Sequence, residues 1–151
     1  MQILSKDVSG GHTTNIAPQL TFRGECRAAF EFYAKLLGGE IMIMNTFGGS
    51  EDRALPSGSV AGPAGNVRFA EVRFGDNLLR GNDLNDDAFV QMSGFNVSLH
   101  VHSTEEAKRI FGGLAEGGTF ATPLAEADWA RLFGMVTDRF GVPWLILAPD
   151  E

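Results

Sequence analysis

Leu20-Thr21-Phe22-Arg23-Gly24-Glu25-Cys26-Arg27-Ala28-Ala29-Phe30-Glu31-Phe32-Tyr33-Ala34-Lys35-Leu36-Leu37-Gly38-Gly39 reads as the end of a strand, a helix and its stop. Apolar residues at 26, 29, 30, 33 and 37 have the spacing of a helix with one buried face. Gly38-Gly39 ends it. The same order returns 79 residues on, with Leu99-His100-Val101 matching residues 20–22 and Gly117-Gly118 matching 38–39. Ala107 and Phe111 fall on Ala28 and Phe32 at that spacing. Further along, Gly75 pairs with Gly141 at a spacing of 66, so the first half carries 79 − 66 = 13 extra residues. The Gly/Pro/Ser-rich stretch Phe47 to Gly65 is the natural place for them.

Working outward, each half reads as strand, helix and three strands. In the first half the strands are expected at 16–22, 41–45, 67–74 and 77–83, with a helix over 25–37 and a hairpin across Gly75-Asp76. In the second, strands are expected at 95–101, 119–122, 132–137 and 143–148. Ser103 with Glu106 three residues on is a capping box, and Ala107, Ile110, Phe111 and Leu114 make the helix face that follows. The fold class is therefore α+β: two βαβββ modules forming a curved mixed sheet with helices on the convex face. The expected organisation is an N-terminal arm over 1–15, a first module over 16–90 with a long 46–65 loop, and a second over 91–151. One module alone has too little core to be stable, so the halves must pair, within one chain or between two.

The 151 residues carry twelve Lys and Arg against nineteen Asp and Glu, a formal charge of −7. That balance speaks against nucleic acid, which selects a basic face, and against an anionic membrane surface. No apolar run reaches the roughly 18 residues of a membrane span, and residues 1–15 have no apolar core of a signal peptide, so a cytoplasmic location is expected. Cys26 is the single cysteine, which excludes an internal disulfide and a multi-thiolate zinc site. On a helix's buried face it reads as a packing residue rather than a nucleophile. The acidic surplus is spread along the chain except at Asn82 to Asp87, which reads as a solvated turn.

Residues 22–33, Phe22-Arg23-Gly24-Glu25-Cys26-Arg27-Ala28-Ala29-Phe30-Glu31-Phe32-Tyr33, resemble the F-x-G-x-C-x-x-A-x-x-F-Y stretch of PhnB-like proteins. These belong to the vicinal oxygen chelate superfamily, with glyoxalase I, bleomycin-resistance proteins and extradiol dioxygenases. Phe133-Gly134-Met135-Val136-Thr137-Asp138-Arg139-Phe140-Gly141-Val142-Pro143-Trp144 resembles the family's second hallmark, and Val72-Arg73-Phe74-Gly75-Asp76 its G-D hairpin. The resemblance runs from about Ile16 to Leu147 and implies the glyoxalase/bleomycin resistance fold, commonly as a homodimer, with modules paired within a chain or swapped between two. Enzymes of the wider group hold a divalent metal ion through His and Glu, and a substrate with two adjacent oxygens chelates it. Carried over residue by residue, those four ligand positions fall near Ala17, Gly81, Asn96 and Leu145, none of them a strong ligand. The family name is also linked to demethylubiquinone methylation, yet the chain has no Gly-rich strand-to-helix loop for a nucleotide-type cofactor.

Alternation along the strands selects the face opposite the helices. If Val97, Leu99 and Val101 pack under a helix, Asn96, Ser98 and His100 face a cavity. By the repeat, Ala17, Gln19 and Thr21 do the same, and Phe69, Glu71 and Arg73 oppose Ala70 and Val72. A polar floor of Gln19, Thr21, Glu71, Ser98 and His100 with an aromatic wall has the composition of a small-molecule site; a dimer interface or a water-filled groove is the plainer reading. Trp129 and Phe133 can close over a ligand while Arg131 holds a carboxylate, or the three form a packed loop with Arg131 at the surface. Trp144 is expected in the core. His100-x-His102 places two imidazoles on one side of a strand, and Glu71 or Asp83 can supply a third metal ligand. The plainer alternative leaves His102 in solvent. The leading expectation is a small-molecule-binding dimer without metal or other cofactor. The alternative is a divalent-metal lyase or dioxygenase using His100 and Glu71.

Overall fold

A computed structural model describes residues 14–48, 63–85 and 87–149. The elements follow the order β1 (Gln19–Phe22), α1 (Cys26–Leu37), β2 (Glu40–Thr46), β3 (Val67–Phe74), β4 (Asn77–Asp83), β5 (Val97–His100), α2 (Thr104–Ala115), β6 (Thr119–Ala127), β7 (Ala130–Thr137) and β8 (Pro143–Ala148). The duplication is plain in the topology. Strand order is β1-β4-β3-β2 in one sheet and β5-β8-β7-β6 in the other, with β1–β4 and β5–β8 parallel and the other pairs antiparallel. The βαβββ reading and the α+β class hold. The eight strands divide between two four-stranded sheets rather than sharing one, because β1 and β5 both lie at sheet edges.

The repeat reaches the backbone. Gly38 and Gly117 follow the two helices with φ of +75° and +74°, a left-handed conformation that glycine adopts without strain. The extra residues of the first module lie where the composition put them: β2 and β3 are joined by 47–66, whereas β6 and β7 meet across Asp128-Trp129. Most of that 47–66 connection, and of the 1–15 arm, lies outside the described residues. Five strands differ from expectation, β2 by one residue at each end and β7 by starting at Ala130 rather than 132. β1 starts at Gln19 rather than 16, β5 spans only 97–100, and β6 runs on to Ala127 rather than stopping at 122. β6 pairs with β7 beyond Pro123 because register shifts absorb the proline.

Both helices bury the faces their spacing marks: Cys26, Ala29, Phe30 and Tyr33 in α1, and Ala107, Ile110, Phe111 and Leu114 in α2. The helix-covered sides of both sheets join one continuous core that includes Leu20, Phe22, Val72, Val136, Trp144 and Ile146. Tyr33 crosses from α1 to the second module, its ring 5.1 Å from that of Trp144 and edge-on to it. Phe32 meets Phe140 beside it. Stacking the two helix-covered sides into one core leaves the opposite side of each sheet directed away from it.

Two buried aspartates tie this arrangement together. Asp138 accepts from the Tyr33 hydroxyl at 2.5 Å, the Trp144 indole N–H at 2.8 Å and the backbone N–H groups of Phe140 and Val142. Asp83 accepts from the N–H of Cys26 at 2.9 Å and of Val67 at 2.8 Å. It thereby caps α1, whose N-cap residue Glu25 makes no side-chain hydrogen bond, whereas Ser103 caps α2 from within its own turn. The solvated turn expected over Asn82 to Asp87 is thus wrong at its second residue. Asp83 is only 4% exposed, because two backbone donors compensate the burial of its charge.

Candidate functional site

The sheet faces opposite the helices hold most of the residues singled out by alternation. On the first sheet, Gln19 pairs across to Arg80, Arg80 to Glu71, and Glu71 to Ile43, so these four form one cross-strand row. Apart from Ile43 the row is polar, and its polar side chains are paired within the sheet. Arg80 Nε donates to Glu71 at 3.0 Å, with the Glu71 side chain only 16% exposed, and the Gln19 amide donates to Asn82 at 2.7 Å. Thr21 sits beside Asn82 in the parallel ladder. Phe69 and Glu71 are half-buried, while Ala70 and Val72 are buried on the helix side.

The second sheet presents a different surface. Ser98, Leu145 and Met135 form one row, and His100, Leu147 and Phe133 the next. Ser98 and His100 are exposed at the sheet edge, and Phe133 is half-buried. Trp129, in the β6–β7 turn, is 60% exposed with its ring 4.9 Å from that of Phe133. Arg131 is exposed two residues before Phe133 in the same alternation. One face is therefore charged and amide-rich, the other aromatic and aliphatic.

Within one chain these residues are not all brought together. A groove of about 1050 Å³ runs along β5 and gathers Asn96, Ser98 and His100 with Phe74, Leu78 and Phe95 from both modules. Gln19, Thr21, Phe69 and Glu71 lie outside it on the first sheet, and Trp129, Arg131 and Phe133 lie outside it on the second. His102 lies in solvent, as its plainer reading has it, although it borders the groove. Trp144 and Cys26 are both core residues. Burial pushes the Cys26 thiol well above its ordinary value, and the nearby Asp83 charge adds to the effect, so the sulfur stays a protonated packing group.

The donor set among the described residues does not fit a metal. Among the described residues no group of three or more His, Cys, Asp and Glu side chains converges. Within one chain His100 and Glu71 stand on different sheets, and Glu71 already faces Arg80. Asp83, the other possible third ligand, is buried and holds two backbone donors. Of the four carried-over positions, Gly81 is on the wrong side of its strand. A side chain there would meet the Phe30 ring and the Cys26 sulfur in the core, so the residues that β4 turns outward are Arg80 and Asn82. Leu145 does face outward but offers no donor.

Sequence reasoning missed Arg80, Tyr33 and Asp138 as contributors. Arg80 was visible by alternation, since it flanks Gly81. The role of Asp138 lies in contacts that join segments 105 residues apart, which no local pattern carries.

Comparison with known proteins agrees with this architecture. The chain is 35% identical over 137 residues to Protein YjdN of Escherichia coli K12, covering 87% of this chain and 92% of that protein. The crystal structure of protein PA1353 from Pseudomonas aeruginosa superposes with a TM-score of 0.78 at 37% identity, over 92% of this chain and all of that one. A PhnB protein from Bacillus cereus superposes at 0.74 with 24% identity, over 89% and 99% of the two chains. A glyoxylase/bleomycin resistance protein/dioxygenase domain from Frankia shares the fold at 0.58 and 16% identity, over 95% and 100%. No helix among the described residues is long and apolar enough to cross a membrane. A family model described as 3-demethylubiquinone-9 3-methyltransferase matches residues 14–147, and with these relatives it shows that the chain belongs to this PhnB-like family, built on the glyoxalase/bleomycin resistance fold.

Proposed function

We propose that the protein is a small-molecule binder that works as a homodimer and without a bound metal. In this reading the polar face of one protomer's first sheet and the aromatic face of its partner's second sheet enclose the ligand. One observation carries the reading: both helix-covered sides share one core inside the chain, so the two ligand-facing sides point away from each other and each lacks an opposing wall. A second copy supplies that wall, and the open edges of β1 and β5 offer the backbone groups along which two modules can abut.

In the assembled site, Trp129 and Phe133 stack on the ligand's apolar body. Gln19, Thr21 and the Glu71–Arg80 pair hold its polar edge by hydrogen bonds, and Ser98 and His100 close the seam. Arg131 balances a carboxylate at the rim. Asn96 and Phe69 border the same space.

Methyl transfer, which the family description names, finds no support in the residues. β1 passes to α1 through Arg23-Gly24-Glu25, a turn with one glycine, and the first helical N–H is held by Asp83. That is not the glycine-rich turn on which a nucleotide-type methyl donor lies against the main chain.

Two measurements test the proposal together. Sedimentation is expected to give twice the 16.3 kDa chain mass, and a thermal-shift panel of small aromatic and dicarbonyl compounds to give saturable stabilisation. A monomer at all concentrations, or no stabilisation by any compound, overturns it. Stoichiometric metal in the purified protein, lost in His100→Ala, replaces it with the divalent-metal reading.

A further inference from the structure

We propose that the outward face of the first sheet selects a neutral amide or lactam edge, in which a donor and an acceptor stand side by side, over a carboxylate or an ammonium group. The inference rests on the small-molecule reading above and names the chemical class that its polar wall takes. Charges on this face come in matched pairs set across neighbouring strands. Glu71 on β3 stands opposite Arg80 on β4, and Arg80 Nε donates to it at 3.0 Å. Glu40 on β2 stands opposite Arg73 on β3, with a guanidinium nitrogen 3.5 Å from a carboxylate oxygen. The Gln19 and Asn82 amides beside them are neutral and bonded to each other.

The Arg80–Glu71 pair leaves hydrogen-bonding capacity without leaving net charge. Arg80 uses its Nε and keeps both terminal amino groups, while Glu71 uses one oxygen and keeps the other. Gln19, next to Arg80 in the same row, donates through its amide nitrogen and keeps its carbonyl oxygen. A donor between two acceptors therefore lies along the row. An amide or lactam meets it with its carbonyl oxygen accepting from the guanidinium and its N–H donating to a neighbouring oxygen. A carboxylate brought to the same place gains Arg80 but meets Glu71, and an ammonium gains Glu71 but meets Arg80. Glu71 is only 16% exposed before any second wall is added, so water screens those like-charge contacts poorly. The facing wall, with Met135, Leu145 and Leu147, brings no charge to offset them.

Naphthamide, naphthoate and naphthylmethylammonium share one apolar body and differ at the edge, and calorimetry at neutral pH ranks them. Naphthamide is expected to bind about tenfold or more tightly than either ion. Glu71→Gln should move the preference toward naphthoate and Arg80→Gln toward the ammonium compound, each by about fivefold or more. The double variant Glu71→Gln/Arg80→Gln removes both charges together and should keep the original order, and melting curves check that each variant folds. Naphthoate or the ammonium compound binding as tightly as naphthamide overturns the inference and leaves the binder reading standing, with Arg131 at the rim as the selecting group if naphthoate wins. An order unchanged in both folded single variants overturns it too. If none of the three binds while other aromatic compounds do, this inference alone falls; if no compound binds at all, the binder reading falls with it.

Discussion

The first and second modules share a skeleton and differ in what they show on it. The first turns a row of Gln19, Arg80 and Glu71 outward and pairs its side chains within the sheet. The second turns out Met135, Leu145, Leu147 and Phe133, with Trp129 standing over the last. Their buried carboxylates differ as well. Asp83 serves its own module, capping α1 and holding the start of β3, while Asp138 reaches across to Tyr33. Duplication thus preserved backbone pairing, which depends on every residue, and let side chains diverge on the face where pairing is indifferent to them.

The largest effect should come from the carboxylate that spans the modules. Asp138→Ala strands four donors, and a loss of about 4 kcal/mol of unfolding free energy is expected by chemical denaturation. Asp83→Ala strands two backbone donors and should cost about 2–3 kcal/mol. Ser103→Ala, which removes a cap from one turn of α2, should cost only about 1 kcal/mol. If Asp83 proves no more costly than Ser103, the contrast between a tertiary cap and a local one fails.

The outward faces separate by readout. Trp129→Ala should weaken a ligand found in the thermal-shift panel by roughly tenfold with little change in stability, since the ring is mostly exposed and touches Phe133. Arg80→Ala should alter affinity for compounds with a polar edge and cost about 1–2 kcal/mol of stability, because it leaves Glu71, only 16% exposed, without its partner.

The smallest effect is alkaline. Burial, and then the Asp138 charge, raise the Tyr33 hydroxyl far above the ordinary phenol value. The folded state therefore keeps a proton that the unfolded chain releases, and stability is full below about pH 10 and falls as pH rises beyond it. Tyr33→Phe should flatten that alkaline slope in pH-dependent melting curves, at the cost of the hydrogen bond to Asp138.

Sequence periodicity reached the helices, the hairpin at Gly75 and the burial of Trp144 because these follow from local alternation and punctuation. It also found the outward residues Gln19, Thr21, Glu71, Ser98 and His100, since strand alternation fixes sides. It did not find that two sheets, not one, result, nor that Glu71 and His100 stand apart. Both depend on how modules stack, and that is decided by Tyr33, Trp144 and Asp138, residues that meet only in three dimensions. Asp83 was misread for the same reason: an acidic run looks solvated until a distant helix start and strand start supply its donors.

The bond from Tyr33 to Asp138 also bears on descent. A lone half-length module would have had no second module to receive a buried phenol, so the contact exists only where two copies are paired. Once a hydroxyl and a carboxylate became each other's shelter, neither copy could be deleted or replaced by an unmodified sister without leaving a polar group stranded in the interior. The junction works as a ratchet, holding the fused gene fused while the outer surfaces stay free to drift toward new ligands.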